Sequence, residues 1–475
     1  MDAQPSFDLQ VNQTKFLSAE ESEMHAIVTV TARNPGPATG GRVPEAAEIV
    51  LVDCSTSMGH PGSKMVAARR ATIAAIDSMR DGTHFAVVEG THEARMVYPR
   101  EERTTIAARQ SKAEAAAVVQ RLYPNGGTAM GTWLALARSL LAAHPDAIRH
   151  AVLLTDGFNE SEARENLDEE LAACIGHFSC DARGIGDGWE PEELLRIVAA
   201  LGGTADAVRQ EAELETDFRE LMRVAMGKVV PALNIRASTL PGVRVRFVKQ
   251  VFPRFADLAG KVRPIDASTV EVDIGAWGDE TREYHLCLVI ETADRPMKVD
   301  QRLARLDLLA EGPVTAHGSP AVVLVNWTDD PRLATLIDPK LSRYTRHAEL
   351  KEAIDAGFEA YRADDLGKAA VEWARAVDLA TRLKNHRILS RLRLVVDIDA
   401  DGRARIKDDA GAVDSKRVRI ISGDTRDTGT PEAPPEDAQD AGRVCPNCDR
   451  PAPPGVFCTW CGAALDGGTG CGEAE

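Results

Sequence analysis

No stretch of this chain is apolar for the roughly 20 residues that a membrane-spanning helix requires. The opening Met1-Asp2-Ala3-Gln4-Pro5 also lacks the basic and apolar regions of a signal peptide. A cytoplasmic location is the expectation, with no membrane partner. Basic residues are the minority, 56 Lys and Arg against 73 Asp and Glu, so the formal charge is −17. Nucleic acid and anionic lipid both reward basic surfaces, so a mainly electrostatic grip on either is disfavoured and cationic ligands are favoured. Cysteine is thin along most of the chain: four of the nine are scattered and the other five fall in the last thirty-one residues. That distribution excludes a disulfide framework and points to reduced thiols. Aromatic residues are also few, at 5%.

Apolar residues are not lacking. They make up 44% of 475 residues, enough for buried cores in two to four folded units of ordinary size, about 100–200 residues each. Residues 24–32 alternate in the manner of a strand, and Phe7 to Val11 can pair with them. From Glu48 short apolar runs alternate with helical patterns, the signature of crossover units around a largely parallel sheet. After Val229 the period falls to two, as in Val243-Arg-Val-Arg-Phe and Val270-Glu-Val-Asp-Ile, which marks an all-β region.

The economical arrangement is one β-sandwich interrupted by an α/β unit. Residues 1–46 supply its first strands, 47–228 the insert and 229–330 the remainder. Residues 331–400 return to a helical stripe of Leu350, Ile354, Phe358, Tyr361, Ala369, Trp373 and Val377. Residues 401–443, rich in Asp, Thr, Gly and Pro, read as a flexible linker in which a kinase could reach Thr425, Thr428 and Thr430. The basic run Arg382, Lys384, Arg387, Arg391 and Arg393 reads as a solvated face, and Gly184 and Gly186 as a simple turn.

Asp53-Cys54-Ser55-Thr56-Ser57 stands where an apolar strand ends and before a helix begins, the position at which open α/β sheets bind ligands. Gly126-Gly127-Thr128 precedes another helix, and Thr155-Asp156-Gly157 follows another strand. Hydroxyls and carboxylates gathered there form a hard-cation site suited to Mg²⁺ or Mn²⁺, with Ca²⁺ as a further candidate. Cys54, between the ligands, reads as a buried inert thiol.

In that order, Asp-x-Ser-x-Ser, a threonine after paired glycines, and Thr-Asp-Gly resemble the metal-ion-dependent adhesion site of von Willebrand factor A (vWA) domains, over about residues 47–228. The resemblance implies a doubly wound, Rossmann-like α/β fold. It implies a cation held by hydroxyls of Ser55, Ser57 and Thr128, with Asp53 and Asp156 acting directly or through water. It further implies a non-enzymatic adaptor or scaffold that captures an Asp or Glu of a partner protein. Bacterial proteins of similar layout accompany signalling kinases, phosphatases or remodelling ATPases, which are the partner classes expected.

Near the end of the chain, Cys445-Pro-Asn-Cys448 and Cys458-Thr-Trp-Cys461 have the spacing of a closed Cys₄ site for structural Zn²⁺ and resemble a zinc ribbon. Two other readings stand beside the adaptor. A metal-dependent hydrolase would need a general base, for which His60 is the local candidate; nucleic-acid binding through the ribbon runs against the charge balance.

Overall fold

The computed structural model describes residues 6–33, 44–208, 210–291, 295–311, 319–399 and 404–426. The expected zinc ligands Cys445, Cys448, Cys458 and Cys461, and Thr428 and Thr430, lie outside the described residues.

A mixed, mainly parallel sheet forms the middle of the chain. Its strands run in the order Ala205–Ala207, Ser179–Gly184, Ile148–Thr155, Ala46–Asp53, His84–Gly90, Ala94–Tyr98, with Thr105–Ile106 pairing to His84–Gly90. Only Ala94–Tyr98 and Thr105–Ile106 run antiparallel. Every residue of Ala46–Asp53 is buried, which is why that segment reads as a continuous apolar run rather than an alternation. It pairs with Ile148–Thr155 on one side and His84–Gly90 on the other, so the strand order reverses beside its carboxyl end and opens a crevice there.

Helices cover both faces. Ser63–Ser78, Arg109–Val119 and Leu214–Met226 share a core with Val50, Val52, Phe85 and Val87. Met130–Ala142, Arg164–Cys174 and Pro191–Leu201 pack on the other face, against Ile49, Leu51, Val88 and Leu153. Pro191 opens its helix at a position whose N–H has no helical partner, and Gly202 closes it in the left-handed region at φ 82°.

Two antiparallel-dominated sheets enclose a second core. One has the order Ser6–Gln13, Glu23–Arg33, Glu280–Ile290, Val243–Phe252, Ala256–Asp257. The other has the order Val262–Pro264, Thr269–Asp273, Ala232–Thr239, Gln301–Glu311, Ala321–Thr328, Phe16–Ser18. Phe7 faces Ala32 in the first sheet, the pairing expected of these segments. Met24, Ala26, Val28 and Val30 meet Leu233, Ile235, Val323 and Trp327 between the sheets. Strands from before and after the parallel sheet therefore build one sandwich.

Helices Pro339–Arg362, Leu366–Arg382 and His386–Val395 follow, each capped by the side chain before it, from Asp338, Asp365 and Asn385. The expected stripe is real: Leu350, Ile354, Phe358 and Trp373 join the core of the Pro191–Leu201 helix, Tyr361 and Val377 pack against it, and Ala369 is buried.

Two expectations need correction. Residues 404–426 are not linker: they form strand Ala404–Ile406 and helix Ala412–Ile420, with Val418, Ile420 and Ile421 buried. Thr425 is buried too and donates to the Val251 carbonyl at 2.6 Å, so no kinase reaches it in this fold. Nor is the basic run one solvated face. Arg387 and Arg391 turn inward onto Asp206, and Arg387 also meets Asp424 at 3.2 Å, whereas Arg382, Lys384 and Arg393 stay exposed. The composition suggested otherwise because these contacts are ion pairs across distant segments, which no local pattern records.

Candidate metal centre

The site forms where three loops meet beyond the central strand. Cys54 N–H donates to the Gly90 carbonyl at 2.8 Å, and Asn125 N–H to the Cys54 carbonyl at 2.6 Å. Thr56 N–H and its hydroxyl both reach the Gly126 carbonyl at 2.9 Å. The first loop is thus stitched to the second by its own backbone. Gly126 lies at φ 79°, and a Cβ on Gly127 would fall 2.0 Å from Ser161 Oγ, so both glycines are required. That Ser161 Oγ accepts the Thr128 N–H at 3.0 Å, which ties the second loop to the third.

Four of the five expected ligands are joined by hydrogen bonds. Asp53 Oδ1 accepts the Ser55 N–H at 2.7 Å, and its Oδ2 accepts the Thr155 hydroxyl at 2.6 Å. Ser55 Oγ and Ser57 Oγ stand 2.9 Å apart, and Ser57 Oγ donates to Asp156 Oδ1 at 2.6 Å. Thr128, the fifth, faces the same gap. The point where a Cβ on Gly157 would stand is 3.6 Å from both Ser57 Oγ and Thr128 Oγ1. Glycine at 157 keeps that space clear.

Asp53 and Asp156 are fully buried, and Ser55 and Thr128 nearly so. Burial pushes the Asp53 carboxyl up to about 6, against the hydrogen bonds from Ser55 and Thr155, and the charge of Asp156 adds to the rise. Two buried acids with hydroxyls between them, Ser57 at the exposed mouth, are a donor set for a hard divalent cation. The residues present fit that ion. Cys54 is buried, and burial with the charges of Glu89 and Asp53 pushes its thiol far up, as expected of an inert cysteine. His60 is not aimed at the gap: its Nδ1 lies 3.4 Å from the Thr56 carbonyl of its own turn.

Sequence reasoning missed Lys64. Its ammonium donates to Asp156 Oδ2 at 2.8 Å, with 7% of the lysine side chain and none of the aspartate exposed. Oδ1 is left toward Ser57 and the gap, so the lysine fixes which carboxylate oxygen is offered. Gly186 makes room for it: at φ 71°, a Cβ there would stand 2.6 Å from Lys64 Cε. Gly186 is therefore more than a turn. The readable signal was a lysine set among Met65, Ala67 and Ala68 on the buried side of a helix.

The family model for the von Willebrand factor type A domain matches residues 47–207. Among solved structures, the chain is similar to one described as von Willebrand factor type A from Catenulispora acidiphila. The two are 40% identical, with a TM-score of 0.81, over 89% of this chain and 97% of that one. The ArnB paralog VWA2 from Sulfolobus acidocaldarius shares the fold at 11% identity and TM-score 0.52, over 89% of this chain and 98% of that one. No curated protein matches the sequence. Domains of this type carrying the adhesion-site pattern bind divalent cations and typically take protein ligands.

Proposed function

Because this chain belongs to the von Willebrand factor type A domain family, we propose that it is a non-enzymatic adaptor that captures an acidic side chain of a partner protein on a cation, Mg²⁺ first among the candidates, at Asp53, Ser55, Ser57, Thr128 and Asp156. The observation that carries this reading is the charge around the gap. Asp53 and Asp156 bring two negative charges, Lys64 cancels one, and the remaining donors are neutral hydroxyls. A divalent ion placed there retains positive charge, so a partner carboxylate gains a charge-assisted bond. His60, the local candidate for a base, faces its own backbone, which supports binding over hydrolysis.

The Cys₄ segment at 445–461 is proposed as a zinc-held module adding a second contact surface. Membership of a signalling or ATPase-linked complex is the partner class proposed with it.

The test is capture by the immobilised full chain with Mg²⁺ or with chelator. Chelator-sensitive capture of a defined partner, lost with Thr128→Ala while the fold persists, is the expected result. Capture indifferent to both treatments would end the adaptor reading, as would metal-dependent phosphoester or peptide turnover abolished by the same substitution.

A further inference from the structure

The outer face of the five-stranded sheet carries a cluster that the crevice does not use. In Glu23–Arg33 and Glu280–Ile290, Met24, Ala26, Leu286 and Leu288 point into the sandwich core, so Glu23, His25, His285 and Cys287 point outward. Register places His25 directly opposite Cys287, with His285 and Glu23 two residues along on either side. Glu23 Oε2 lies 3.6 Å from His25 Nε2 and 3.9 Å from Cys287 Sγ. One ligand atom from each of these three residues falls within 4.8 Å of the others.

We propose that Glu23, His25 and Cys287 form a further metal site, for a borderline or soft divalent cation of the Zn²⁺ class, with His285 as the positioning residue for His25. Ligand atoms around tetrahedral Zn²⁺, at about 2.0 Å for N and O and about 2.3 Å for S, stand roughly 3.3–3.8 Å apart. The Glu23–His25 separation already fits, the Glu23–Cys287 separation needs only a small closure, and the third pair lies within 4.8 Å. Thiolate and imidazole select against Mg²⁺ and Ca²⁺, so this site and the hydroxyl-lined crevice take different metals.

The surroundings are built for that ion. His25 Nδ1 is 3.0 Å from His285 Nε2, which fixes the ring; with the proton of that bond on Nδ1, Nε2 turns its lone pair toward Glu23 and Cys287. Arg246 holds the other oxygen of Glu23, and the Phe247 ring stands edge-on to His285 at 5.2 Å. Cys287 is fully buried, whereas 40% of the His25 side chain is exposed, so the thiol sits at the floor and an ion enters past the imidazole. Forming the sulfur–metal bond releases the thiol proton to water. Carboxylate and thiolate then neutralise a divalent ion.

Co²⁺ is the probe, added with excess Mg²⁺ to the full chain carrying Cys445→Ser, Cys448→Ser, Cys458→Ser, Cys461→Ser and Cys471→Ser, so that the tail cannot contribute thiolates. One equivalent is expected to give the near-ultraviolet thiolate-to-cobalt band. Cys287→Ser should abolish that band, and His25→Gln should abolish or greatly weaken it. His285→Gln should keep the band but lower affinity by about ten-fold, as loss of an orienting partner does. His25 and Glu23 lie on the outer face, so His25→Gln tests the site even where Cys287→Ser fails to fold. Absence of the band, or a band that His25→Gln leaves unchanged, would overturn the proposal.

Discussion

Asp156 and Lys64 set the behaviour of the crevice at the scale of single residues. Lys64→Met leaves a buried carboxylate without its ion partner, a change that costs about 3–5 kcal/mol when nothing replaces the lost charge. A divalent cation would replace it. The metal-free variant should therefore unfold at lower denaturant than the parent, and Mg²⁺ should restore more stability to it than to the parent. Denaturation with Mg²⁺ and with chelator measures both, and equal Mg²⁺ gains in the two proteins would refute the idea that Lys64 cancels one of the crevice's two negative charges. At the opposite end of the same strands His150 lies buried between Glu48, 2.7 Å from Nδ1, and Asp181, 2.9 Å from Nε2. Burial alone would lower its pKa, but the two carboxylates outweigh it and raise the imidazole to about 10. A histidine with a raised folded pKa contributes its full stability below the unfolded value of about 6.5 and loses it as pH climbs through about 10. Stability measured across that window should fall with pH, and His150→Gln should flatten the slope. The five crevice residues were legible in the sequence because each sits in a short motif at a strand or helix end. Lys64 was not, because its partner lies 92 residues away and its role depends on how the chain folds back.

At the scale of elements, Gly357 decides how closely the helices Pro339–Arg362 and Leu366–Arg382 approach. A Cβ there would stand 2.4 Å from Trp373 Cδ1, and the indole Nε1 donates to the Ile354 carbonyl at 3.3 Å. Gly357→Ala gains helix propensity of about 1 kcal/mol. The clash is with a fully buried ring that cannot move freely, and overpacking of this kind costs about 1–3 kcal/mol. The net expectation is a destabilised protein with quenched or shifted Trp373 fluorescence; an unchanged or raised midpoint would show that the indole has room to yield. The helices themselves were readable from their apolar stripe, since Leu350, Ile354, Phe358, Ala369 and Trp373 recur at helical spacing. Helix Ala412–Ile420 was not, because few of its residues are large and apolar and much of its attachment is polar. Arg417 Nε donates to the Ala207 carbonyl at 3.2 Å, and Lys416 Nζ reaches the Trp189 carbonyl at 2.8 Å. Such bonds belong to tertiary structure, so a reading by composition assigns the segment to linker.

At the scale of the whole molecule, the parts are tied to one another away from the crevice. Tyr344 and Lys340 of the long helix both bind Glu283 on the outer sandwich face, and Lys340 also meets Thr29 at 2.7 Å. Asp424 joins Arg387 and Arg426, while Asn385 Nδ2 donates to its backbone carbonyl at 2.8 Å. The edge strand of the parallel sheet enters the same network through Asp206. Residues 404–426 therefore act as a strap between the helices, the sandwich and the vWA sheet, and Thr425 reaches the sandwich strand Val243–Phe252 through the Val251 carbonyl. Two shortened chains separate this strap from everything that follows it, one stopped after residue 426 and one stopped after residue 403. The second loses the buried Val418, Ile420 and Ile421 and leaves Arg387, Arg391 and Asp206 exposed to water. It should unfold at lower denaturant than the first, and amide exchange should quicken in His386–Val395 and Ala205–Ala207 before it does in the central strand Ala46–Asp53. Equal midpoints and equal exchange in the two chains would show that the strap rests on the surface without holding it.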